Sequence, residues 1–165
     1  MTNTLQERYK HKSLRHLQYL IILCWIFTGC ESPKSSITNS DLHQAWQSAQ
    51  RDGKPIFVDF YTDWCRPCKV MDREVYSQQE IGNYLKGHYH AVRFNPEQIQ
   101  EVEAFEKTFA FDDGLGVNTF IYYATQNQFR GYPTAVILSS EGDLLWFHTG
   151  YLNKGELLLA LKSHN

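Results

Sequence analysis

Apolar and polar positions along the chain predict alternating helices and strands in residues 40–165, which is the pattern of an α/β domain. Residues 42–50 repeat apolar side chains at helical spacing and precede Gly53, so we expect a first helix there. Residues 56–61 are apolar except at Asp59 and are rich in β-branched and aromatic side chains. This composition predicts a buried strand.

The next segments predict two parallel strands joined by helices. A helix over 68–75 is followed by a short helix ending at Leu85, which we expect to begin at a capping box formed by Ser77 and Glu80. Residues 89–94 predict a second strand. Strand, helix and strand at this spacing form a βαβ unit, so the two strands should be parallel.

The C-terminal third predicts an antiparallel hairpin and a final helix. Residues 134–138 and 144–148 predict strands, and the turn-rich residues 139–143 join them. Asn153 and Glu156 predict a capping box that starts the last helix. The predicted order is therefore α-β-α-β, an insert, and β-β-α.

The first thirty residues have a different pattern. Residues 1–30 carry four basic side chains and one acidic side chain, a net charge of +3, whereas the rest of the chain has a net charge of −5. An apolar run at 17–27 follows the basic residues. At 1.5 Å per residue it is too short to cross a hydrocarbon core of roughly 30 Å. A basic flank before a short apolar run is typical of an export signal.

The end of this run resembles a bacterial lipoprotein signal. A threonine and a glycine precede Cys30, as small residues precede the lipidated cysteine of such signals, although Phe27 stands where leucine is usual. The resemblance implies a signal peptide over residues 1–29, lipidation of Cys30 and a tether over 30–39. The domain would then be membrane-anchored on the periplasmic side. An ordinary signal peptide, which would leave the domain soluble in the periplasm, and a short anchor are the alternatives.

The overall composition excludes several classes of protein. The hydrophobic share of 42% and the charged share of 21% are those of a globular protein and not of a disordered one. The formal net charge of −2 provides no basic surface, so we expect no nucleic-acid partner.

The cysteines indicate redox chemistry. Of the four, Cys24 lies in the apolar run and Cys30 at the predicted lipidation site, which leaves Cys65 and Cys68 as thiols. A loop of two residues is too short for a disulfide to stabilise a fold by closing it. A single Cys-x-x-Cys pair therefore favours thiol–disulfide exchange over a structural role.

Half of a zinc site is the alternative for this pair. Zinc takes four ligands, so two further side chains would be needed. The candidates are His43, His88, His90, His148 and His164. His88 and His90 alternate along the second predicted strand and could share one face. We interpret all five as ordinary strand and surface residues and expect no metal.

Two motifs resemble the thioredoxin superfamily. Residues 58–69, with Trp64-Cys65-Arg66-Pro67-Cys68, are similar to its active-site strand and loop. Residues 131–134 resemble its cis-proline segment, and Gly150 matches the glycine after its hairpin. The pattern is closest to the periplasmic thioredoxin-like proteins that include the C-terminal domain of the transmembrane thiol:disulfide interchange reductase.

The resemblance implies a thioredoxin-like domain over residues 40–165. Its fold would be α/β, with a central mixed sheet made of a parallel βαβ unit and an antiparallel ββα unit, flanked by helices. Cys68 and Pro133 are separated by 64 residues, more than in a plain thioredoxin, and the surplus falls at 97–130. We expect an added helix over 117–124. The insert is either a decoration of this family or a determinant of substrate choice.

Five residues are expected to perform or support the chemistry. Cys65, at a helix N-terminus where backbone N–H groups and the helix dipole favour a thiolate, is the expected nucleophile, and Cys68 resolves the mixed disulfide. Pro67 pre-forms the turn. By resemblance, Asp59 is the buried acid that accepts the proton of Cys68, the alternative being a strand-edge residue that faces water. Arg93 either pairs with Asp59 or is a solvated strand residue.

Four residues are expected to contact substrate. Trp64 offers a flat apolar surface to a polypeptide. Arg66 places a positive charge beside the thiolate, unless it is only a solvated surface residue. The resemblance implies a cis bond between Tyr132 and Pro133, which would expose the Tyr132 backbone for strand-like pairing with a bound peptide.

The expected function is that of a protein-disulfide reductase. Proline before the second cysteine resembles the reducing thioredoxins, so we predict reduction of disulfides in exported proteins. A membrane electron donor of the transmembrane disulfide reductase type would recharge the dithiol, and no cofactor beyond the Cys65–Cys68 disulfide is expected. The alternatives are an isomerase or oxidase, a thioredoxin of cytochrome c maturation, and a non-enzymatic peptide-binding or metal-binding module.

Overall fold

The computed structural model describes residues 35–37 and 41–165. The predicted signal peptide, Cys30 and most of the predicted tether lie outside the described residues. Within these ranges, no helix is both long and apolar enough to cross a membrane.

Helices and strands alternate along the described chain, with short strand pairs between its two halves. The elements are α1 (Leu42–Asp52), β1 (Ile56–Phe60), α2 (Arg66–Met71), a π-helix (Asp72–Tyr76), α3 (Gln79–His88), β2 (His90–Phe94), β3 (Val102–Ala104), β4 (Lys107–Phe109), β5 (Phe111–Asp112), β6 (Val117–Asn118), α4 (Phe120–Ala124), β7 (Thr134–Leu138), β8 (Leu144–Thr149) and α5 (Lys154–Ser163).

A four-stranded mixed sheet in the order β2-β1-β7-β8 organises the fold. β1 runs parallel to β2, and β7 runs antiparallel to both β1 and β8. The predicted βαβ unit and the predicted hairpin are both confirmed, as is the thioredoxin fold. β1 is buried along its whole length because strands lie on both sides of it and cores cover both faces.

Successive side chains of β1 enter two different cores, as the period of a strand requires. Val58 and Phe60 belong to the first core, which also holds the aromatic residues of the insert. Phe57 belongs to the second core, which packs beneath the π-helix, α3 and α5. The active-site strand is therefore held by packing on both faces.

The insert contributes to the first core. β3–β4 and β5–β6 form two small antiparallel sheets, and α4 follows them. The ring of Phe120 in α4 is 5.5 Å from the ring of Phe60 and 5.2 Å from that of Phe94. The helix predicted over 117–124 begins only at Phe120, because Val117 and Asn118 pair with β5.

The capping box predicted at Ser77 and Glu80 is wrong. The chain leaves the π-helix at Tyr76, so Ser77 still has helical backbone angles and its hydroxyl donates to the Arg73 carbonyl at 2.6 Å. A residue with helical angles cannot serve as an N-cap, which needs extended backbone. Gln78 takes that position without a capping side chain. The box of Asn153 and Glu156 at α5 is confirmed.

The predicted alternation of His88 and His90 on one strand is also wrong. His88 is the last residue of α3 and its ring stacks on Tyr84 at 4.4 Å. His90 begins β2, where its ring lies 2.9 Å from a carboxylate oxygen of Asp52. Among the described side chains, no group of three or more His, Cys, Asp or Glu could hold a metal ion.

Candidate active site

Cys65 and Cys68 form a disulfide at the start of α2, directly after the buried strand β1. The S–S distance is 2.01 Å and the Cα atoms are 5.3 Å apart. Cys65 is the N-cap residue, and its Sγ accepts a hydrogen bond from the backbone N–H of Cys68 at 3.2 Å. Pro67 lies in the first turn, where a backbone N–H has no intrahelical partner to lose. The expected place of Cys65 at a helix N-terminus is confirmed.

Both cysteines are buried in this disulfide form. Cys65 is 1% exposed and Cys68 is 3% exposed. The adjacent Trp64 is instead 68% exposed, and Arg66 is exposed on the helix start.

Asp59 lies in the centre of β1, where it is 1% exposed and accepts two hydrogen bonds. The hydroxyl of Tyr76 donates to Oδ1 at 3.1 Å, and Nε of Arg93 donates to Oδ2 at 3.2 Å. Arg93 is the register partner of Asp59 on the parallel neighbour β2. The pairing of these two side chains, one of two alternatives from the sequence, is therefore present.

A second carboxylate joins this group. Nη2 of Arg93 lies 3.0 Å from Oδ2 of Asp72, and the guanidinium lies 4.1 Å above the ring of Tyr61. Asp72 begins the π-helix four residues after Cys68, so the acidic group lies on the helix that carries the cysteines. Sequence reasoning missed Asp72, although the spacing from Cys68 and the arginine on the neighbouring strand were available as signals.

The buried position of Asp59 sets its protonation. Burial raises the pKa of Asp59 to about 6, against the opposing charge of Arg93, and the charge of Asp72 raises it further. Burial also raises the pKa of Asp72, again opposed by Arg93. The pKa of Tyr76 rises because it is buried beside a carboxylate, so its hydroxyl remains a donor. An acid that titrates near neutral pH can take up or release a proton during dithiol chemistry.

The insert contacts the rim of the site. The indole N–H of Trp64 donates to Oε2 of Glu97 at 2.8 Å, and its ring lies edge-on to that of Tyr132 at 5.9 Å. Tyr132 in turn contacts the ring of Phe129 at 5.1 Å. Sequence reasoning missed Glu97 and Phe129, because no local pattern links them to a motif that lies far away in the chain.

The peptide bond between Tyr132 and Pro133 is cis. The Pro133 carbonyl accepts a hydrogen bond from the N–H of Gly150 at 2.8 Å, and the hydroxyl of Thr134 donates to the Gly131 carbonyl at 2.6 Å. In the part of the chain that the structure describes, the backbone N–H and carbonyl of Tyr132 have no hydrogen-bond partner. These two groups can therefore pair with an added strand.

Curated proteins with similar sequences include thiol:disulfide interchange proteins. The thiol:disulfide interchange protein DsbD of Salmonella typhimurium is 30% identical over 95 residues, which cover 55% of this chain and 15% of that protein. DsbD of Pseudomonas fluorescens is 35% identical over 60 residues, which cover 36% of this chain and 9% of that protein. The matched segments are thus a small part of these relatives.

Solved structures with the same fold include a DsbH oxidoreductase, with a TM-score of 0.57 and 19% identity over 80% of this chain and 86% of that one. The C-terminal domain of DsbD from Neisseria meningitidis, in its oxidised form, has a TM-score of 0.52 and 15% identity over 74% of this chain and 90% of that one. The family model that matches residues 42–165 is described as a thioredoxin-like domain. The chain thus belongs to the thioredoxin-like domain family, and its Cys65–Cys68 pair is that of a thiol–disulfide oxidoreductase.

Proposed function

We propose that this domain reduces disulfide bonds in exported proteins. The observation that carries the proposal is the Cys65–Cys68 pair at the start of a helix, with the titratable Asp59 buried in the preceding strand. The thiolate of Cys65 attacks one sulfur of the substrate disulfide, which forms a mixed disulfide and releases one substrate thiol. Cys68 then attacks the Cys65 sulfur, releases the second substrate thiol and leaves the domain oxidised.

Asp59 is the proposed proton acceptor for Cys68. Resolution requires Cys68 to lose its proton as it attacks, and an acceptor works best when its pKa lies near the working pH. The pKa of Asp59, about 6, satisfies this condition. Tyr76 and Arg93 each donate one hydrogen bond to the carboxylate, which fixes its orientation.

The residue before the second cysteine favours reduction over oxidation. Pro67 stands where the reducing thioredoxins carry proline, whereas their oxidising relatives carry histidine at that position.

The substrate binds along the cis-proline segment in this proposal. The unpaired backbone groups of Tyr132 would bond an extended peptide, with Pro133 shaping the groove. Trp64 is exposed beside the pair and offers an apolar contact, while Arg66 offers a positive charge at the same rim. Main-chain pairing of this kind would accept many sequences.

Attachment and recharging complete the proposal. Lipidation of Cys30 would hold the domain at a membrane on the periplasmic side, as the N-terminal sequence indicates. A membrane electron donor of the disulfide reductase type would return the Cys65–Cys68 disulfide to the dithiol. The relatives that this chain resembles are named thiol:disulfide interchange proteins, and a domain that exchanges disulfides in this way needs such a donor.

A redox titration against dithiothreitol and glutathione buffers tests the direction. A single two-electron transition below about −230 mV supports the reductase, whereas a value above about −180 mV would point to an isomerase or oxidase. Cys68→Ser should accumulate a mixed disulfide between Cys65 and client proteins, because the resolving thiol is gone. Cys65→Ser is the control that should trap nothing. If it retained full biological activity, a passive binding module would replace the enzyme.

A further inference from the structure

A three-residue segment ahead of α1 is packed against the domain. Ile37 is 3% exposed and belongs to the second core, and Ser36 donates its backbone N–H to the Tyr76 carbonyl at 2.9 Å. Tyr76 ends the π-helix, and the end of a helix leaves carbonyl groups without intrahelical donors. Ser36 therefore caps the helical stretch that begins at the redox-active cysteines.

Two glycines of α3 show how closely this segment approaches. A Cβ on Gly82 would lie 2.8 Å from Cβ of Ser36, so an alanine there requires the segment to move. A Cβ on Gly87 would meet no atom within 4 Å. Alanine increases intrinsic helix propensity in the same way at both positions. The two substitutions therefore differ in their contact with Ser36.

We propose that residues 35–37 form a stem, which attaches the N-terminal segment of the chain to one fixed place at the junction of the π-helix and α3. The first described contact of the chain with the domain then falls at residues 35–37, ahead of α1 at Leu42. The domain surface beneath the stem is apolar where Ile37 enters the second core and polar where Ser36 bonds the Tyr76 carbonyl. Both residues therefore meet a surface of their own polarity.

The consequence for reach rests on the lipid attachment proposed above. Five residue steps separate Cys30 from Ser35, and an extended chain spans at most about 3.6 Å per residue, or roughly 18 Å. Attachment at residue 40 would allow roughly 36 Å by the same geometry. The stem thus halves the maximum distance between the lipid anchor and the domain.

Trypsin provides a direct test on the full chain in its membrane. Lys34 is the only lysine or arginine between Arg15 and Arg51, and its peptide bond to Ser35 adjoins the stem. Cleavage there requires residues 35–37 to leave the domain and enter the protease in extended form, so its rate follows the undocked population. Gly82→Ala should speed this cleavage at least tenfold, whereas Gly87→Ala should stay within twofold of the unsubstituted chain.

A second variant and a separate lipid measurement complete the test. Ile37→Ala shortens the buried side chain of the stem and changes no residue of α3. It should also speed cleavage at least tenfold, and it serves as the test if Gly82→Ala fails to fold. Unchanged cleavage in both variants would overturn the stem. Incorporation of labelled fatty acid, and its loss in Cys30→Ser, tests the lipid anchor independently. If Lys34 were protected from trypsin but no labelled fatty acid were incorporated, the stem would be supported and the lipid anchor would be rejected.

Discussion

Replacing Asp59 by Asn should stabilise the oxidised protein much more at pH 8 than at pH 4.5. The carboxyl is 1% exposed, and its pKa is about 6 against an ordinary 3.8, chiefly because of burial. With a raised pKa, the folded protein binds this proton more tightly than the unfolded chain does. The stability that the group contributes is therefore complete below about pH 3.8 and is lost as the pH rises through about 6.

The magnitude follows from the difference between the two pKa values. About 2.2 units at roughly 1.4 kcal/mol per unit give a total loss of about 3 kcal/mol by pH 8. About 2 kcal/mol of that loss falls between pH 4.5 and pH 8. Asn stays neutral throughout, and Arg93 keeps Asp72 as a partner in the variant. The substitution changes the same hydrogen bonds at both pH values. The difference between the stability gain at pH 8 and the gain at pH 4.5 therefore measures the ionisation of Asp59 alone.

Urea denaturation of both oxidised proteins at pH 4.5 and pH 8 measures this difference. Asp63→Asn provides the matched control, because Asp63 is an exposed aspartate in the loop before the cysteines and has no buried charge to lose. If the gain from Asp59→Asn were the same at both pH values within about 0.5 kcal/mol, Asp59 would not have the raised pKa on which its proposed role depends.

Two further predictions concern neighbours of the site, and a third concerns the turn between β7 and β8. Arg93→Gln removes the cation that opposes the rise in the Asp59 pKa, so the pH midpoint of the resolving step should move upward, whereas Arg73→Gln, at an exposed arginine paired with Glu74, should not move it. Glu97→Ala removes the acceptor of the Trp64 indole and should raise KM several-fold for a peptide disulfide, while Glu97→Gln keeps an acceptor and should largely preserve KM. Gly142→Ala should cost about 2–4 kcal/mol in urea denaturation because Gly142 has a positive φ and a Cβ would clash with Tyr123 and Phe105, whereas Gly53→Ala, which meets no atom, should cost about 1 kcal/mol.

The sequence predicted the parts of the site that depend on local pattern. β1 is apolar throughout except at Asp59, so its burial and the position of the acid could both be inferred. The Cys-x-x-Cys motif followed by a helical pattern placed Cys65 at a helix start. The pairing of Arg93 with Asp59 could be offered only as one of two alternatives, because Arg93 lies on the neighbouring predicted strand; their register is known from the structure.

The sequence did not reveal what the π-helix does. An ordinary α-helix over 68–75 leaves Ser77 free to start the next helix, but the wider turn keeps Ser77 helical and delays α3 to Gln79. An acidic residue on a short helix is usually solvated, so Asp72 drew no attention. Its contact with Arg93 depends on how the helix packs over the sheet, which is a tertiary property.

The insert between β2 and β7 has two faces with different roles, and this decides how it can be studied. Its inner face is part of the fold, since Phe120 is fully buried and contacts Phe60 and Phe94 of the central strands. Its outer edge supplies Glu97 and Phe129 to the rim beside Trp64 and Tyr132. Deleting the insert would expose the first core and unfold the domain before any effect on substrates could be seen. Substitutions at the outer edge, beginning with Glu97, are therefore the ones that can separate substrate choice from stability.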